Sequence, residues 1–238
     1  MTYDIKIKFL AAVNHIALLI GLVFFFNWWW LIIGFTLHLI FITVGISMGY
    51  HRYFTHKSFV ANNNWEWVFI ILGSLSFLGP VLGWVGIHRT HHAFSDTEKD
   101  PHSPKNGFFK SLFHVFSIKD VKLSFVSDLI RNKKIMFQHK YYFHFILIYF
   151  LIMILIFGYT AIYLVSLPAV LGYYAAGLTN SVNHMFGEQV DVRNTSTNLP
   201  LLNIITGGEG YHANHHASPN SHIFGKWDPA RLIFPFIK

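Results

Sequence analysis

Cysteine is absent from the 238 residues. Its absence excludes disulfides, thiolate zinc sites and iron–sulfur clusters held by cysteine. Charge is scarce as well: Asp, Glu, Lys and Arg together make up 12% of the chain, about half the share usual in soluble domains. A dinucleotide fingerprint is missing too, because neither Gly207-Gly208-Glu209-Gly210 nor Gly83-x-x-Gly86 gives Gly-x-Gly-x-x-Gly after a strand. What fills the chain instead is apolar: 53% hydrophobic residues, 25 of them Phe. A soluble chain this short cannot hide so much apolar surface in one core, so lipid is its natural surrounding.

The net charge of +7 does not point to nucleic acid. All 18 Lys and Arg residues fall in 1–8, 52–140 and 193–238, and two long apolar regions carry none. Residues 9–26 and 30–49 are each close to the roughly 20 residues that cross hydrocarbon. Asn27 and Trp28-Trp29-Trp30 form a short turn between them, with aromatics suited to the headgroup level. The first run is too long for a signal-peptide core and reads as an uncleaved span. Residues 142–157 and 159–178 make a second hairpin about Gly158, with Pro168 tolerated in the later span.

The stretch 65–87 is apolar but broken by Gly73, Gly79, Pro80 and Gly83. If the histidines on either side of it share one site, a single crossing is forbidden and two do not fit. It is expected to be an interfacial or re-entrant helix. The fold predicted is all-α, an integral membrane protein with four transmembrane helices in two hairpins. A helical cytoplasmic cap, 50–141 and 179–238, carries a dimetal site, and residues 1–238 form one domain. The positive-inside rule places the cap and both termini in the cytoplasm.

Sixteen histidines are the other anomaly. Three clusters stand out: His51-Arg52-Tyr53-Phe54-Thr55-His56, His88-Arg89-Thr90-His91-His92 and His212-Ala213-Asn214-His215-His216. In the second and third, positions i, i+3 and i+4 share one helical face and can converge on a point. The pair at 51 and 56 suits a helix end reaching the site from two levels. So many imidazoles crowded together require metal, since each buried ring nitrogen needs a partner. With no thiolates, a redox-active iron pair suits the donor set. The isolated His15, His38, His114 and His144 are expected to be structural.

These boxes, in this order and spacing, resemble the membrane fatty-acyl desaturases that include stearoyl-CoA desaturases and their bacterial relatives. The likeness extends to Gly83-Trp84-Val85-Gly86-Ile87, Asp100-Pro101-His102-Ser103-Pro104, Gly208-Glu209-Gly210-Tyr211 and Trp227-Asp228-Pro229. Asn180-Ser181-Val182-Asn183-His184-Met185-Phe186-Gly187 is similar to the family's Asn-Ser-x-x-His-x-Phe-Gly. The resemblance implies His184 as a ninth ligand and Asn180 as a contact to metal through water. It further implies two iron ions, O2 as co-substrate, and a cis double bond introduced into a saturated fatty-acyl chain, at the delta-9 position.

Electrons are expected from a separate donor, a ferredoxin or cytochrome b5-like protein, on the basic face. Gly86 and Ile87 stand where animal acyl-CoA enzymes carry charge, so CoA-, lipid- and carrier-protein-linked substrates stay open. Arg52, Arg89 and Glu209 are expected to support the ligands, Trp84, Trp65 and Trp67 to anchor the interface, and Tyr211 to pack. Leu39 and Phe35, one turn apart on the second span, are candidates for the closed end of an acyl tunnel. The competing readings are a related diiron hydroxylase and a non-enzymatic membrane metal binder.

Overall fold

The computed structural model describes residues 3–103, 105, 107–113, 121–192 and 194–237, so Pro104 and His114 lie outside the described residues. Helices dominate: α1 (Tyr3–Phe24), α2 (Trp28–Ile40), α3 (Asn63–Ser74), α4 (Val81–Phe94), α5 (Phe108–Phe113), α6 (Ser127–Ile130), α7 (Lys133–Phe157), α8 (Ala161–Ser181), α9 (Asn203–Thr206) and α10 (His212–Ala217). The β structure among the described residues is a short antiparallel ribbon, β1 (Glu188–Gln189) with β2 (Thr197–Asn198), and an isolated bridge between Asn198 and Tyr211.

Among the described residues, three helical stretches are long and apolar enough to cross a membrane: Tyr3–Phe24, Trp28–Thr55 and Lys133–His184. The third holds 52 residues, more than two crossings' worth at roughly 20 each. It is divided at Gly158, whose φ of 56° ends α7 and turns the chain into α8. The outer faces of these helices expose Phe9, Ile16, Leu19, Trp29, Leu151 and Leu155, a surface fit for lipid rather than water.

Local chemistry explains the ends and defects. Asn27 caps α2 by accepting from the amides of Trp29 and Trp30 at 2.9 and 3.2 Å. Asn132 caps α7 in the same way. Pro168 inside α8 leaves the Leu164 carbonyl without its usual amide donor. The Tyr149 hydroxyl of α7 donates to that carbonyl at 2.8 Å, which ties the two helices together.

Beyond α2 the chain widens into a π-helix, Phe41–Thr55, in which residues five apart lie above one another. It packs closely on α3: a Cβ at Gly45 would sit 2.3 Å from the Gly73 amide nitrogen, so only glycine permits the approach. The stretch 65–87 is two helices rather than one continuous helix. α3 and α4 contain 12 and 14 residues, both too short to cross hydrocarbon alone. The turn between them is held from α7. Gln138 accepts from the Val81 amide (3.2 Å) and donates to Ser74 Oγ (2.9 Å), while the Tyr142 hydroxyl accepts from the Gly79 amide (3.0 Å). That turn aims α4, and with it the second histidine cluster, back at the end of the π-helix.

Candidate metal centre

Four elements deliver the nine histidines. The π-helix ends at the first cluster, and its i→i+5 bond from the His56 amide to the His51 carbonyl (3.1 Å) sets His51 and His56 one wide turn apart. α4 carries His88, His91 and His92. His184 lies in the turn after α8. The short α10 carries His212, His215 and His216, and Asn214 anchors it: its Oδ1 accepts from Asn198 Nδ2 (2.8 Å), its backbone amide donates to Asn198 Oδ1 (3.2 Å), and its Nδ2 donates to the Phe224 carbonyl (2.8 Å).

The nine sort into two groups. His51, His56, His88, His92 and His215 form one, and His91, His184, His212 and His216 the other; within each, the ligand atoms lie within 4.8 Å of one another. Each three-histidine box is therefore split, its i and i+4 rings going to one group and its i+3 ring to the other. The expectation that each box converges on a single point is corrected here. The shared helical face is broad enough to straddle two metals.

Nε2 atoms meet at close range: His51–His215 3.0 Å, His215–His92 2.9 Å, His92–His88 3.0 Å, His184–His212 3.1 Å, His212–His216 3.1 Å and His91–His216 3.3 Å. A protonated imidazole nitrogen has no lone pair to accept with, so these runs are not hydrogen bonds donated in turn. A cation met by a lone pair from each ring satisfies them together. Two nitrogens about 3 Å apart subtend close to a right angle at a metal about 2.1 Å from each. His56 Nε2, buried and without a hydrogen-bond partner, fits the same reading. Burial, reinforced by neighbouring imidazoles, pushes His56, His88, His92, His212, His215 and His216 far below the usual imidazole range. Neutral rings offer metal their lone pairs without a competing proton.

Carboxylates orient the rings from behind. Glu209 accepts from His51 Nδ1 and Asp100 from His91 Nδ1, each at 2.9 Å. His184 Nδ1 reaches Thr195 Oγ1 (3.1 Å), which donates to Asp96 (2.8 Å). Such partners fix tautomer and ring orientation. Burial would raise the carboxyls of Asp100 and Glu209, but the hydrogen bonds and charges around them prevail and lower both. Arg52, fully buried, bonds Asp228 at 2.8 Å, lies 3.7 Å from Glu209, and stacks over the Phe224 ring. Arg89 works at one remove, binding Asp128 and the carbonyls of Phe54 and Thr55 that close the π-helix.

The remaining expectations divide. His15 and His38 bond the carbonyls of Ala11 and Ile205 and join neither metal group, nor does His144. Tyr211 packs against Gly225, and its hydroxyl accepts from the Trp227 amide. Trp84 is not an interface anchor; it stacks on His88 with ring planes 18° apart. Asp96, Asp100 and Asp228 are supporting residues that ligand spacing does not mark, although Asp100-Pro101 and Trp227-Asp228-Pro229 belong to the stretches that resemble the family.

An apolar pocket adjoins the rings. Ile42, Ile46, Leu78 and Ile87 line it, with His51, His88 and Asn180 at its polar end. Leu39 and Phe35 are not among its lining residues, and Phe35 is exposed. The change from α- to π-helix at Phe41 rephases the faces, so Ile42 and Ile46 take the positions expected of them.

An apolar slot that meets the five-histidine group at His51 and His88 suits oxidation of a hydrocarbon chain. Comparison with known proteins agrees: a family model described as fatty acid desaturase matches residues 27–224. The chain belongs to the fatty acid desaturase family. It is 33% identical over 224 residues to the sn-1 stearoyl-lipid 9-desaturase of Anabaena variabilis, covering 89% of this chain and 82% of that one. It is 33% identical over 243 residues to the protein of the same name from Synechocystis sp., covering 98% and 75%. Against an acyl-CoA 5-desaturase of Anemone leveillei the identity is 32%, covering 82% and 63%. This desaturase is thus an oxidoreductase acting on acyl chains.

Proposed function

We propose that this protein introduces a cis double bond at carbon 9 of a saturated acyl chain. The observation that carries the reading is the junction of the apolar pocket with the five-histidine group, through His51 and His88. The relatives in Anabaena and Synechocystis are named as 9-desaturases. The pocket's apolar walls hold the chain by burial and exclude water, while Trp84 fixes the His88 ring beside it.

The nine histidines would hold two irons, with Asn180 contacting metal through a water. When bound, the irons would supply O2 activation, in which two hydrogens of the chain, two external electrons and two protons from solvent reduce O2 to two waters. Glu209, Asp100 and Asp96 keep Nε2 of His51, His91 and His184 turned to the metals. The electrons come from a separate ferredoxin or cytochrome b5-like donor on the basic face.

The chain is one domain with four crossings: α1, α2 with the π-helix, α7 and α8. Both termini and the metal centre face the cytoplasm. The absence of Lys and Arg from the two hairpin turns supports this orientation, and so does the shortness of α3 and α4.

Expression in a host without its own desaturase tests the function. Fatty-acid analysis should show a cis double bond at carbon 9 with the wild-type protein and none with His215→Ala. Hydroxy acids, or an unchanged profile at normal expression, would contradict it.

A further inference from the structure

A second cavity of about 540 Å³ lies between α1, α5 and α8, within the range of roughly 300–1,000 Å³ typical of small-molecule sites. Ala11 and Ala12 open it, because α1 presents only methyl groups there. Further along α1, Leu18 packs on Leu167 and Val170 and closes the gap.

This cavity and the pocket at the metal centre are neighbours. On α8 they follow one another, Ala169, Val170, Tyr173 and Tyr174 facing the first and Ala175, Ala176, Thr179 and Asn180 the second. Leu78 lines both. The partition is therefore the turn Phe77-Leu78-Gly79 between α3 and α4. Phe77 is held there at φ 63°, a left-handed conformation that bulky residues avoid. Its neighbour Gly79 is pinned by Tyr142. Strain of this kind persists only where the surroundings enforce it, and it gathers at ligand clamps.

We infer that this cavity is the entry by which an acyl chain esterified to a bilayer glycerolipid reaches the metal centre, passing Leu78. The inference rests on the desaturase reading and adds the class of substrate. The cavity opens within an apolar helix whose neighbouring residues Phe9, Val13 and Ile16 are exposed. Apart from His15, the one ionisable cation among its described lining residues is Lys8, near the start of α1. A single cation at that level suits the phosphate of a membrane lipid. It does not suit the multiply charged headgroup of a water-borne thioester.

The test uses the full-length, iron-loaded protein in vesicles of phosphatidylcholine whose saturated acyl chains carry a diazirine, supplied with O2 and, in separate reactions, with reduced ferredoxin or reduced cytochrome b5. Cross-linked peptides are mapped by mass spectrometry, and double bonds formed in the vesicle lipid are counted in parallel. Wild-type protein should cross-link at both cavities, near Ala12 and near Ala175. Ala12→Trp, or Val170→Trp from the opposite wall, should lose most cross-links at both cavities and most double bonds while keeping its iron. Leu78→Ala should keep or increase cross-linking near Ala175. No wild-type cross-link near Ala12 would overturn the inference. So would metal-side cross-links that survive either tryptophan variant, since the cavity would then hold only structural lipid. Cross-links through both cavities without any double bond in the wild type would instead sink the desaturase reading and leave the entry route standing.

Discussion

His91 and His92 are adjacent in the chain yet serve different metal positions. His92 Nε2 lies 2.9 Å from that of His215, and His91 Nε2 lies 3.3 Å from that of His216. Successive residues on a helix point about 100° apart, so α4 reaches both groups at once. α10 repeats the device with His215 and His216. Two short helices thereby contribute rings to both histidine groups.

This split predicts selective metal loss. His215→Ala should empty the five-histidine group first, and His216→Ala the four-histidine group. In each case bound iron should fall toward one per chain and activity should be lost. His15→Ala and His38→Ala should keep both irons. Iron quantification on purified variants checks this; equal loss of both irons from every ligand variant would mean that the groups do not fill independently.

The carboxylates behind the rings should tune affinity without contacting metal. Glu209→Gln retains an acceptor for His51 but removes the charge, and Asp100→Asn does the same for His91. Each should weaken iron retention about 10–100-fold, measured by competition with a chelator. Unchanged retention in both variants would show that ring orientation is set by packing alone.

Arg52 is buried between Glu209 and Asp228. Arg52→Met removes the cation and leaves two buried carboxylates facing each other. The loss should be about 3–5 kcal/mol, the usual result of breaking a buried ion pair from one side. Thermal unfolding measures it, and a small loss would imply that one carboxyl takes up a proton instead.

Acid should act on the Arg89–Asp128 contact. Burial opposes ionisation of Asp128, but Arg89 and Lys57 hold its carboxyl well below the usual range. A lowered folded-state pKa gives stability that is present above the unfolded value, about 3.9. That stability is lost as pH falls through the folded value. Asp128→Asn should therefore be less stable than wild type at neutral pH, with the difference shrinking on acidification. Unfolding at a series of pH values checks the sign.

Orientation can be read with cysteine, which the chain lacks. Asn27→Cys and Gly158→Cys should react with an impermeant thiol reagent from outside the cell, and Glu98→Cys should not. External labelling at position 98 would overturn the cytoplasmic placement of the metal centre.

Much of this was legible in the sequence because ligand spacing and apolar run length are local. The boxes, the Asn27 turn and the break at Gly158 all depend on residues close together in the chain. The split of each box was hidden, since i, i+3 and i+4 look equivalent until the second metal's position is known. The π-helix was hidden too, because no composition signal marks fifteen residues with i→i+5 bonds. The expectation at Leu39 and Phe35 assumes an unbroken α-helix, whereas the pocket is lined by Ile42 and Ile46 of the π-helix. Asp96 and Asp228 act across long sequence separations, Asp100 reaches His91 across a turn that spacing alone does not mark, and each is an unremarkable acidic residue until folding sets it behind a ring or beside Arg52.

The central claim is that nine histidines hold two irons in separate groups of five and four. Metal analysis of the purified wild-type protein, counted per chain against quantified protein, tests it most directly. The account predicts two irons per chain. A single iron, or full activity with zinc in place of iron, would contradict it.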